Sequence, residues 1–193
     1  MKLIYGVGFN DGKYPASGSN RFVREYSLWK AMLQRCFEEK ALNKRPTYKG
    51  CSVSNNFKSY SYFYEWCNKQ IGFGVEEYQL DKDLLFKDNK IYSENNCLFL
   101  PRRINSALVR KESARGGLPA GVYWNKINKN YVARCTINGK TVHIMSSLDS
   151  LEAFYAYKTV KEDYLKHLAE EYRNQIDIRA YNALINYQVE ITD

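Results

Sequence analysis

Hydrophobic positions along this chain change period repeatedly, and each change marks an element. The first 20 residues are rich in Gly, Ser and Asn, carry no sustained period and read as loop. From Arg21, the residues Phe22, Tyr26, Trp29, Leu33 and then Cys36 or Phe37 recur at helical spacing, and Pro46 discourages continuation past Asn43. YKGCSVSNN reads as a turn and a short extended piece, after which Asn55 or Asn56 is a candidate cap for a second helix carrying Phe57, Tyr60, Phe63, Tyr64, Trp66 and Cys67. Tyr78 to Phe86 reads as a strand, Lys87 to Asn96 as a polar loop, and Cys97 to Leu100 as a second strand. Pro101 suits the first turn of a helix running through Ile104 and Leu108.

The glycine-containing basic run RKESARGGLP, 110–119, is the best candidate linker, dividing a first domain at 1–109 from a second at 120–193. In the second part GVYWNK is strand-like and YVARCTI alternates. Asn138-Gly139 is the strongest short hairpin signal, with KTVHIMS returning. Asp149-Ser-Leu-Glu152 has the spacing of a helix start, continued by Leu151, Phe154, Tyr155, Lys158, Tyr164, Leu165 and Leu168. A last helix is expected at Ala180 to Tyr187. The expected class is α+β: N-terminal helices and a strand–loop–strand–helix segment, then a three-stranded antiparallel sheet with one packed helix and a helical tail.

A net charge of +8 favours a polyanionic partner, with nucleic acid first among them; a basic protein without that role is the plainer alternative. No apolar run approaches the roughly 20 residues that span a bilayer, and MKLIYGVGFNDG is too short and too soon polar for a signal peptide. A cytoplasmic location without membrane contact is therefore expected. The five cysteines are scattered and include no Cys-x-x-Cys pair, so they read as small buried hydrophobes rather than disulfides or zinc ligands.

Alternation in YVARCTI sends Tyr131, Ala133, Cys135 and Ile137 to one face, with Val142 and Ile144 joining that core across the hairpin. Val132, Arg134, Thr136, Thr141 and His143 fall on the other face. A sheet face carrying Arg134, with Trp124 and Lys126 on the neighbouring strand, suits a major groove, although any antiparallel sheet has a solvated face. The run GVYWNK…YVARCTINGKTVHIMSSLDSLEAFYAY, roughly Gly117 to Tyr164, resembles the AP2-type DNA-binding module of plant transcription factors and of phage and mobile-element nucleases. That resemblance implies binding of double-stranded DNA through Trp124, Lys126, Arg134, Thr136 and Lys140. It departs from the family where Met145-Ser146-Ser147 stands in place of a glycine common there.

Between the two hydrophobic strands, QLDKDLLFKDNKIYSENNCLFLPRRIN holds the other candidate chemistry. One-metal phosphodiester hydrolysis needs a hard oxygen ligand, a base for water and stabilisation of the leaving oxygen. A spacing of two puts Asp81 and Asp83 on one face of a strand and Lys82 on the other, while Asn95 or Asn96 precedes the second strand and Asn105 lies on the following helix. An ordinary salt-bridged strand edge explains Asp-Lys-Asp equally simply. The order of elements resembles the HNH (His-Me finger) endonucleases, whose motif commonly reads Asp-His-Ile-Asp, a loop Asn before Leu, and Asn or His on the helix. The wider string Trp29…Met32…Arg35-Cys36, Tyr48-Lys-Gly-Cys51, Phe63…Trp66, Leu80-Asp-Lys-Asp and Pro101…Ile104-Asn105 is similar to phage-encoded HNH-like proteins, many with an AP2-like module behind.

This resemblance implies a ββα-metal finger and a Mg²⁺- or Mn²⁺-dependent DNA endonuclease. Asp81, Asp83 and Asn105 would hold the ion and Asn96 would organise the loop. Arg102, Arg103, Arg110 and Lys111 would follow the DNA backbone. Lys82 stands where the family has histidine, and a lysine ordinarily titrates near 10.4, which makes it a poor base. Three roles stay open: Lys82 as base or phosphate contact, Asp81 or Asp83 as base, or a finger that positions DNA without cutting it. A homodimer, a regulatory DNA-binding role and a host protein partner are the remaining expectations.

Overall fold

The computed structural model describes residues 3–19, 21–109 and 116–193, which form two compact units. The first comprises 1–101 with 175–177, and the second 102–174 with 178–193. Both mix helices with small sheets, as the α+β expectation requires. Among the described residues, no helix is long and apolar enough to cross a membrane.

In the first unit, α1 (Arg24–Phe37) buries Tyr26, Trp29, Leu33 and Cys36 of the expected stripe and Met32 beside them, whereas Phe22, expected on that stripe, precedes the helix and is exposed. The helix stops at Glu38, whose extended backbone opens the short α2 (Glu39–Lys44). Next come β1 (Ser52–Val53) and α3 (Tyr60–Asn68). The α3 cap is Ser59, accepting from the Tyr62 amide, rather than Asn55 or Asn56, because Asn56–Lys58 forms a 3-10 turn first. Trp29, Phe57, Tyr60 and Phe63 make a fully buried aromatic centre, and the Trp29 indole N–H donates to the Phe57 carbonyl at 2.8 Å. Two short ladders complete the unit. β1 runs parallel to β3 (Ile91–Tyr92), and β2 (Tyr78–Asp81) runs antiparallel to β4 (Leu98–Pro101).

Three boundaries correct the sequence reading. The strand from Tyr78 ends at Asp81 and not Phe86, because the Asp81 carboxylate captures the amides of Asp83 (3.0 Å) and Leu84 (2.9 Å) and folds the chain into a turn. The loop 87–96 contains β3. Pro101 closes β4, and the helix begins one residue later as α4 (Arg102–Ala107).

The second unit contains α4, β5 (Val122–Asn125), β6 (Asn130–Ile137), β7 (Lys140–Ser147), α5 (Ser150–Glu171) and α6 (Ile178–Ile185). The sheet order is β5-β6-β7, antiparallel throughout. Asn138 and Gly139 both adopt positive φ, 51° and 77°, which a two-residue hairpin turn of this hand requires. Asp149 caps α5 by accepting from the Leu151 amide at 2.8 Å. Ala133, Ala153, Phe154, Val122 and Val189 form the core between sheet and α5. Gly121, at φ +70°, lies so close to Tyr157 that a Cβ would sit 2.2 Å from its ring. The last segment is held by α5: Lys158 donates to the Val189 carbonyl (2.6 Å), and Glu162 accepts the Val189 amide (2.8 Å).

Candidate functional sites

In the Asp81–Asp83 segment the three side chains do not share the arrangement expected of a regular strand. Asp81 is buried and its Oδ1 is occupied by two backbone amides. Burial pushes its carboxyl above the ordinary range, with the Leu84 amide pulling the other way. The Lys82 side chain is only 7% exposed, whereas Asp83 is 56% exposed. The Lys82 ammonium is ion-paired to Asp83, donates to the Asn89 carbonyl at 2.6 Å and lies 5.7 Å from the centre of the Tyr92 ring. The strand has already ended, so Asp81 and Asp83 do not line one face.

Asn89, which the sequence reading passed over, is the hub of this segment. Its amide donates to the Lys82 carbonyl (2.7 Å) and the Ile91 carbonyl (2.8 Å), and its Oδ1 accepts from the Ile91 amide (3.1 Å) and from Asn96 Nδ2 (3.0 Å). Asn96 thus fastens the loop through Asn89. The available signal was a turn-forming Asp-Asn pair before a β-branched residue, in KDNKIY. Asn105 lies on α4, in the second unit.

These residues do not fit a divalent cation. Asp81 Oδ1 is committed to two backbone amides, and Asp83 neutralises a buried ammonium whose charge would repel the ion. Among the described residues, no three His, Cys, Asp or Glu side chains gather as metal ligands.

The sheet of the second unit is a different environment. From 116 to 148 the chain contains Lys126, Lys129, Arg134 and Lys140 and no Asp or Glu. Arg134 is exposed, and its guanidinium lies over the Tyr123 ring, 4.3 Å from the centroid. Thr136, Thr141 and His143 continue the same face, with Arg134 opposite His143 and Thr136 opposite Thr141. His143 Nε2 is 2.9 Å from Ser146 Oγ. Among the described residues nothing forms an ion pair with Arg134, Lys126, Lys129 or Lys140.

Pairing corrects the sequence reading of this sheet. Trp124 pairs with Tyr131 and packs edge-on against it, on the α5 side, so Tyr123 and not Trp124 accompanies Arg134. A bulge between Ala133 and Arg134 leaves Ile144 as the extra residue of β7. Val142, expected in the core, is 42% exposed near the turn end of this edge strand. Val132, expected outward, is 2% exposed because it sits on the central strand between Tyr123 and Ser146.

The remaining candidates divide. Lys126 is exposed beyond β5, and Lys140 opens β7. Arg102 is exposed. Arg103 is ion-paired to Glu171 and donates to Asn138 Oδ1 from Nε (3.1 Å) and Nη2 (2.6 Å), so its fork fastens the hairpin tip. Arg110 and Lys111 lie outside the described residues. Comparison of the chain with family models, with curated proteins and with solved structures gives no match.

Proposed function

We propose that this protein binds double-stranded DNA through the Arg134 face of its three-stranded sheet, with the Asp81–Asp83 segment serving as scaffold rather than as a cutting site. The observation that carries this reading is the carboxylate-free sheet, on which an unpaired Arg134 lies over Tyr123. An arginine packed over an aromatic ring has less freedom to turn its fork, which suits guanine edges, while lysines at the sheet's ends suit phosphates. The ion pair of Lys82 with Asp83 and its bond to the Asn89 carbonyl support the scaffold role, since they tie the side chain into the loop.

A binding titration against duplex libraries, over a range of salt, tests the proposal. Wild type is expected to bind with steep salt dependence. Arg134→Ala should relax sequence preference, and Lys140→Ala should weaken binding to all sequences alike. Absence of duplex binding at low salt refutes it. Nicking of supercoiled plasmid by the same preparation in Mg²⁺ or Mn²⁺ would instead favour the hydrolase reading.

A further inference from the structure

Arg35 has no role in the chemistry considered so far, yet its surroundings are unusual. It occupies the last turn of α1, half-buried, with its guanidinium 5.7 Å from the Tyr48 ring centre and 5.6 Å from that of Tyr92. Its Nε is buried and has no hydrogen-bond partner. Among the described residues no carboxylate pairs with it. Glu38 Oε2 accepts from Gln34 Nε2 at 2.7 Å, and Glu39 lies beyond the point where α1 breaks, out of the helical i,i+4 position. Lys82 approaches the same Tyr92 ring, and Lys90 donates to the Thr47 carbonyl, one residue from Tyr48.

A structural arginine normally satisfies its fork with carboxylates or carbonyls, and a buried donor left without a partner destabilises a fold. Here two aromatic ring centres lie 5.7 and 5.6 Å from the guanidinium while its hydrogen-bonding capacity stays unused. We infer that Arg35, beside Tyr48 and Tyr92, is an oxyanion site of the first unit that takes a backbone phosphate of nucleic acid. Because Nε itself is buried, the terminal Nη1 and Nη2 of this half-buried side chain are the nitrogens that would meet a phosphate, as two parallel N–H···O bonds. This site would be additional to the sheet face and rests on the nucleic-acid reading proposed above.

The test compares duplex binding by full-length wild type, Arg35→Gln and Arg134→Ala across salt concentrations, with thermal unfolding of each. One phosphate contact fewer should lower the slope of log K against log salt by about one for Arg35→Gln. In wild type, the Arg35 Nε–H resonance should also shift as duplex is added, a readout that survives if Arg35→Gln fails to fold. An unchanged slope in a folded Arg35→Gln variant overturns the inference, as does a resonance that stays still at saturating duplex. A lowered melting temperature with unchanged binding would make Arg35 a structural strut and overturn it equally. If wild type binds no duplex, the proposed function itself fails. If binding depends on Arg134 but not on Arg35, only this inference does.

Discussion

Replacing Lys82 by methionine and Asp83 by alanine, singly and together, measures whether the Lys82 ammonium is held by that one carboxylate. Lys82→Met keeps the volume of the buried stem and removes its charge. It leaves the Asn89 carbonyl without its donor at 2.6 Å, a loss of about 1–3 kcal/mol. Relief of the ammonium's desolvation offsets this, since burying an ion costs several kcal/mol. The net change should be about 1 kcal/mol. Asp83→Ala is worse, because it strands a buried cation. Breaking a fully buried pair costs about 3–5 kcal/mol, and with Asp83 56% exposed water recovers part of that, leaving about 2 kcal/mol.

The double variant has no charge to strand and should be no less stable than Asp83→Ala alone, which corresponds to a coupling of about 1–2 kcal/mol. Denaturant unfolding followed by tryptophan fluorescence in a Trp124→Phe background reports the first unit, which holds the buried Trp29 and Trp66. Costs that add within about 0.5 kcal/mol would refute the pairing.

Three further outcomes follow from the geometry. Burial lifts the Asp81 carboxyl above its ordinary 3.8, so the folded state holds that proton more tightly. Stability of the first unit should therefore fall as pH rises from about 3.8 through the raised value, and Asp81→Asn, which keeps an acceptor oxygen, should flatten that slope in a pH series of denaturant midpoints. Gly121→Ala places a Cβ on the Tyr157 ring at positive φ and should destabilise the second unit by about 2–4 kcal/mol, read through Trp124 fluorescence. Asp149→Ala removes the α5 cap and should cost about 1 kcal/mol in the same assay.

What the sequence made legible was whatever depends on neighbours a few residues apart. The α1 stripe, the Asn138-Gly139 turn and the Asp149 cap are local chemistry and could be named from residue types. What escaped depends on register. Alternation groups Arg134 with Thr136, but only pairing of Tyr123 with Val132 and of Trp124 with Tyr131 tells which aromatic shares that face. The bulge at Ala133/Arg134 shifts the pairing by one residue, which no period announces. Asp-Lys-Asp was misleading for a related reason. The strand period runs on in the sequence past Asp81, whose own side chain terminates the strand by accepting two backbone amides. Arg35 carries no local signal, since nothing in its neighbourhood along the chain foretells that Tyr48 and Tyr92 lie beside it.

The Lys158–Glu162 pair on α5 has a consequence for which substitutions the chain tolerates. One side chain donates to the carbonyl of residue 189 and the other accepts its amide, so together they engage both backbone polar groups of that one residue, much as an adjacent strand would. Recognition of that kind is indifferent to side-chain identity, apart from the apolar volume that Val189 contributes to the core. In a saturation library, position 189 should therefore accept isoleucine and, with some loss, alanine or threonine. It should reject proline, which has no amide hydrogen to give to Glu162.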